Sequence, residues 1–144
     1  SGGEKRRAAI AGVMAMSPEV LVLDEPTAGL DPSGRDTILN LIKSYRDKTG
    51  ATIIIVSHSM EDMAKVAEKI LVMNQGEIAM FDKTEEIFSH GKELRAMGLN
   101  IPEITMIAEK LKQNGIMINE NVFTVEALKN SILALKKEGI GHDQ

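Results

Sequence analysis

Asp24 and Glu25 stand side by side where an apolar run of four residues, Val20 to Leu23, stops. Such a run suits a strand buried on both faces of a parallel sheet, and ligands of open α/β sheets sit beyond the carboxyl ends of the strands. Adjacent carboxylates at that point are placed for metal and phosphate chemistry. His58 follows a second apolar run, Thr52 to Val56, through Ser57. At the other end of the chain, Ser1, Gly2 and Gly3 precede a stretch of good helix formers. A Ser and two glycines at a helix start offer free backbone N–H groups and the positive dipole end to an anion.

The elements that must position these groups follow from periodicity. Glu4 to Met16 reads as a helix with Ala9, Ile10, Val13 and Met14 as its apolar stripe, ended by Ser17-Pro18. Pro26 breaks the first strand, and Gly29, Asp31 and Pro32 supply turn chemistry. Asp31-Pro32 reads as an N-cap with Pro in the first helical position. Ile38, Leu41, Ile42 and Tyr45 then fall at helical spacing, and Thr49-Gly50 closes the helix. A strand, a helix and a strand within about 35 residues imply a right-handed parallel crossover. That crossover brings His58 to the sheet edge that carries Asp24 and Glu25, whereas His90 and His142 have no such context and read as surface residues.

The remainder is predicted to be a short helix over Met60 to Ala67, then a hairpin of Ile70 to Met73 and Glu77 to Phe81 around Asn74-Gln75-Gly76. Thr84 is expected to cap a short helix through Phe88. Ser89 to Asn100 carries polar and Gly signals and reads as a boundary. Beyond it, Pro102 starts a helix with Ile104, Ile107, Ala108 and Leu111 on one face. Thr124 caps another with Val125, Leu128, Ile132 and Leu135 inward, and Gly139 to Gln144 reads as a frayed tail. The expected division is 1–92 and 93–144, the second a helical appendage.

Bulk composition narrows the function classes. The chain has 144 residues, 43% of them apolar, with nine Met, no Trp and only 3% aromatics, so aliphatic side chains must build the core. The net charge of -4 argues against a broad nucleic-acid surface. Lys5, Arg6 and Arg7 form one short basic run that reads as a solvated helix face. Cysteine is absent, which excludes disulfides and thiolate metal sites. No apolar run approaches the roughly 20 residues of a membrane span, and no signal peptide is visible.

Four motifs in order carry a family resemblance. Ser1-Gly2-Gly3-Glu4 resembles the L-S-G-G-Q signature of ABC-type ATPases, with Glu4 where the family has Gln. Val20 to Glu25 resembles their Walker B strand with its catalytic Glu, Ala28-Gly29-Leu30-Asp31 the D-loop, and His58 the switch histidine. The run G-V-M-A-M-S-P-E-V-L-V-L-D-E-P-T-A-G-L-D-P-S-G-R is similar, more narrowly, to the ATPase subunits of energy-coupling factor transporters, the cobalt/nickel and vitamin uptake group. Leu99 to Leu135 is similar to that subgroup's C-terminal extension.

The resemblance implies an α/β fold: part of a P-loop NTPase-type parallel sheet flanked by helices, followed by the helical appendage. It implies ATP and Mg²⁺ as cofactors. Asp24 would bind Mg²⁺, Glu25 would act as general base on the attacking water, and His58 would sense the γ-phosphate. Asp31 would couple two sites, and Ser1, Gly2, Gly3 and Glu4 would address ATP held by the opposite protomer. The implied partners are a second ATPase subunit, identical or related, and integral membrane subunits that include a substrate-capture component. Nucleic acid is not among them. The implied location is peripheral, on the cytoplasmic face of the membrane. No G-x-x-x-x-G-K-[ST] phosphate loop occurs, since Gly91-Lys92 is followed by Glu93. The family places that loop, the Q-loop and an adenine-stacking aromatic before the signature, so the chain is expected to be the C-terminal half of such an ATPase and inactive alone. The competing readings are a non-transport ABC-type ATPase acting on ribosomes or DNA, and a dimerisation or regulatory module.

Overall fold

The computed structural model describes residues 2–118 and 122–140. Ser1, His142 and the end of the expected tail lie outside the described residues. The chain divides into two compact units between His58 and Ser59.

The first unit contains helix α1 (Gly2–Met14), strand β1 (Val20–Asp24), helix α2 (Pro32–Thr49) and strand β2 (Thr52–Val56). β1 and β2 are parallel and in register from Val20 opposite Thr52 to Asp24 opposite Val56. The core joins Ile10 and Met14 of α1, Leu21 and Leu23 of β1, and Ile38 and Ile42 of α2, with Ile53 and Ile55 of β2 packed against them. The helix stripe is therefore narrower than its spacing predicts: Ile10 and Met14 are buried, whereas Ala9 and Val13 are exposed. α2 is capped as expected. The Asp31 carboxylate accepts from the Gly34 N–H at 3.1 Å, and Gly50 ends the helix in the left-handed conformation with φ +69°.

One expectation is corrected. β1 is buried on one face only, in strict alternation, with Val20, Val22 and Asp24 exposed. Ile54 and Val56 of β2 are also exposed. The continuous apolar run reads as two-sided burial, but within this unit the buried core lies on the face carrying Leu21, Leu23, Ile53 and Ile55.

The second unit contains α3 (Met60–Val66), β3 (Lys69–Asn74), β4 (Glu77–Lys83), α4 (Thr84–Ser89), α5 (Gly91–Ala96), α6 (Glu103–Gln113) and α7 (Val125–Ile140). β3 and β4 form the expected antiparallel hairpin, and its two-residue turn has positive φ at both Gln75 (+50°) and Gly76 (+83°), as a type I′ turn requires. Thr84 does not cap α4. Its hydroxyl instead donates to the Ala67 carbonyl at 2.6 Å, tying the start of α4 to the segment before β3. α5 fills part of the segment read as a boundary, with Leu94 completely buried. The rings of Phe88 and Phe123 lie 5.4 Å apart.

Ala108, Ile118, Val122 and Leu128 form the core between α6 and α7, and the buried Thr105 hydroxyl donates to the Val122 carbonyl at 3.1 Å. Ile107, Val125 and Ile132, all expected inward, are exposed. Thr105 and Ser131 are buried in this part of the chain. Thr105 is buried with its hydroxyl satisfied by a backbone carbonyl, a choice that an apolar-stripe rule misses. Thr124 caps α7 as expected, accepting from the Ala127 N–H at 3.2 Å. No helix among the described residues is long and apolar enough to cross a membrane.

Candidate functional site

Glu25 sits one residue beyond β1. Its N–H donates to the Val56 carbonyl at 2.8 Å, which extends the pairing of the two strands by one bond. Its backbone then enters the left-handed region, φ +44°, and its carbonyl accepts from the Ala28 N–H at 3.2 Å to close a turn over the buried Pro26 and Thr27. A side chain other than Gly in that region costs on the order of 1 kcal/mol and persists only where its surroundings hold it.

Here the side chain is held on both oxygens. Oε1 accepts from the His58 N–H at 3.0 Å and lies 2.7 Å from His58 Nδ1. Oε2 accepts from the Ser57 hydroxyl at 3.4 Å. Partial burial pushes the Glu25 carboxyl up, but the His58 ring, the His58 N–H, the His58 charge and the Ser57 hydroxyl outweigh it and hold the carboxyl below its ordinary value. The Glu25 side chain is 32% exposed and that of His58 83%, so the pair lies at the surface, within reach of water or a ligand.

The crossover thus joins residues 33 positions apart, as the sequence implies. Asp24 ends β1 on the exposed face that carries Val20 and Val22. Among the described residues no three carboxylate, His or Cys groups gather to form a self-contained metal site. One accessible carboxylate does fit Mg²⁺, which is usually bound through one or two carboxylates together with substrate phosphates and water.

The loop from Ala28 to Asp31 connects this edge to α2. Gly29 takes φ +72°, and the loop's carbonyls are held by two arginines: the Arg6 guanidinium donates to the Ala28 carbonyl, and Arg35 Nε to that of Leu30 at 3.2 Å. Asp31 has its carboxylate committed to capping α2. The Arg6 contact corrects the reading of Lys5 to Arg7 as a wholly solvated face. Nothing in the local sequence points to a contact across 22 positions. Gly2 and Gly3 form the first residues of α1, Gly3 half-buried and Glu4 exposed at the surface.

One acid that ends a parallel strand, a second just beyond it and a His following the next strand that grips the second acid share one sheet edge, in a fold of the P-loop NTPase type. Over most of its length the chain is similar to ABC-type ATPases. A family model described as "AAA domain, putative AbiEii toxin, Type IV TA system" matches residues 1–63. Among curated proteins, the energy-coupling factor transporter ATP-binding protein EcfA2 of Clostridioides difficile is 53% identical over 134 residues, 92% of this chain and 46% of that protein. EcfA2 of Clostridium perfringens is 50% identical over 135 residues, covering 94% and 47%. The chain therefore spans about half the length of the curated relatives it matches.

Two solved structures support the fold. The cbiO1 protein of Clostridium perfringens, part of the ABC transporter complex cbiONQ, aligns with TM-score 0.59 and 38% identity over 76% of this chain and 43% of that one. The ATP-binding cassette MJ0796, solved as a post-hydrolysis dimer bound to ADP and Pi, aligns with TM-score 0.53 and 31% identity over 58% and 36%.

Proposed function

We propose that this chain supplies the hydrolytic edge of the ATP-binding subunit of an energy-coupling factor importer for cobalt, nickel or a vitamin. The observation that carries this reading is the Glu25 carboxylate, ionised and gripped by His58 beside Asp24 at the end of a parallel strand. Hydrolysis of a phosphoanhydride requires a positioned water and neutralisation of charge on the γ-phosphate. Glu25 accepts a proton from that water, and the two hydrogen bonds from His58 fix its aim. His58 exchanges part of its contact with Glu25 for one to the γ-phosphate and so reports on whether that phosphate is present. Asp24 holds Mg²⁺, which when bound neutralises phosphate charge.

Gly2, Gly3 and Glu4, with Ser1, address ATP on a second ATPase subunit, and Asp31 relays between the two sites. The partners are that second subunit and membrane-embedded subunits, one of which captures the solute. The protein works at the cytoplasmic face of the membrane. Functionally, 1–92 is ATPase machinery and 93–144 an appended helical module.

The relatives named as energy-coupling factor ATP-binding proteins support this reading. The test is hydrolysis by the full-length ATPase assembled with its membrane partners. Glu25→Gln is expected to lower turnover by about a hundredfold or more, the scale of a lost general base, with ATP still bound. Turnover at the parent rate overturns the reading. These 144 residues alone contain no phosphate loop and are expected neither to bind Mg-ATP tightly nor to hydrolyse it. Calorimetric titration showing low-micromolar affinity, on the order of -8 kcal/mol, refutes that expectation.

A further inference from the structure

Arg6 belongs to a basic run for which neither the acids nor His58 have any use, yet it is not left in solvent. It is half-buried, and its guanidinium donates to the carbonyl of Ala28, the first residue of the Ala28–Asp31 loop. Such a charge-assisted bond to a backbone oxygen is worth more than a neutral one. The Ala28 N–H on the Glu25 carbonyl and the Leu30 N–H on that of Thr27 close its turns, Asp31 is committed to the cap of α2, and Arg35 takes the Leu30 carbonyl from the α2 side; Gly29 contributes no side chain and a left-handed φ of +72°. Arg6 is the tie from the α1 side. It sits about one helical turn after Gly2 and Gly3. Arg6 thus joins the first turns of α1, through one ionic hydrogen bond, to the turn that Ala28 closes with Glu25.

We propose that Arg6 is a positioning residue that ties the glycine-bearing start of α1 to the Ala28–Asp31 loop, so that engagement of ATP by the signature sets the aim of Glu25. The inference rests on the ATPase reading above. It is tested in the full-length ATPase in its transporter complex by separating turnover from ATP affinity. Arg6→Ala is expected to lower kcat about tenfold, the equivalent of one charge-assisted hydrogen bond, while KM for ATP changes by less than about twofold. Arg6→Lys, whose ammonium still donates one bond to the carbonyl, restores most of the loss. Lys5→Ala, an exposed neighbour on the same helix, leaves both constants unchanged.

Thermal midpoints within about 2 °C of the parent separate positioning from general destabilisation. The proposal is overturned if Arg6→Ala keeps its kcat, or if kcat falls only together with the thermal midpoint and Arg6→Lys restores nothing. Glu25→Gln is measured beside these variants. If it hydrolyses ATP at the parent rate, the ATPase reading fails rather than the role of Arg6.

Discussion

The contact between Glu25 and His58 makes a prediction about protons. The carboxyl titrates below its ordinary value in the folded chain because His58 and Ser57 overcome the effect of burial. A depressed pKa contributes stability at pH values above the unfolded pKa, about 4.3 for Glu, and that contribution is lost as pH falls through the folded pKa. His58→Ala removes the lowering ring and leaves the burial, so the Glu25 carboxyl should titrate higher. Carbon-detected NMR of that carboxyl reads the shift directly, and a titration unmoved by His58→Ala would show that the pair is not what holds the acid. A second prediction concerns Gly34. A Cβ there would stand 2.7 Å from Asp31 Oδ1. Gly34→Ala therefore expels the Asp31 carboxylate from the cap, costing about 1 kcal/mol, while the gain in helix propensity is about the same size. Stability should stay near the parent value in urea titrations while turnover of the full-length enzyme falls. Parent-level turnover would remove Asp31 from the relay.

At the scale of elements, the strands, the crossover and the caps of α2 and α7 were legible because local chemistry decides them. β-branched runs, an Asp-Pro step and a Thr before an apolar run each act within a few residues. The juxtaposition of Glu25 with His58 was legible for a topological reason, since a parallel crossover returns the chain to the same sheet edge. The inward faces of α6 and α7 were not, because burial there falls on Thr105, whose hydroxyl bonds the Val122 carbonyl, and on Ser131, while Ile107 and Ile132 stay exposed. Thr84 and Arg6 were missed for a different reason: their partners, Ala67 and Ala28, are backbone carbonyls far along the chain. The Thr105 hydroxyl gives this level its own test. Thr105→Val strands the buried Val122 carbonyl, and chemical denaturation should show a loss of about 1–3 kcal/mol. A change below a few tenths of a kcal/mol would mean that water replaces the hydroxyl.

For the molecule as a whole, the exposed face of the β1–β2 pair is a liability. Val20, Val22, Ile54 and Val56 are each 48–61% exposed on neighbouring positions of two strands. Apolar surface so arranged promotes association. The 144-residue chain should self-associate at high concentration, and Val22→Lys combined with Ile54→Lys should shift light scattering towards a monomer. A clean monomer of the unaltered chain at high concentration would refute this. The left-handed backbone at Glu25 carries a separate consequence for the history of the chain. Asn is more at ease there than Glu, so Glu25→Asn should cost the fold less than its lost contacts to His58 and Ser57 suggest. On the proposed role, the need to activate water adds to those contacts in retaining the acid. A descendant relieved of hydrolysis should therefore shed this carboxylate early, long before its core residues change.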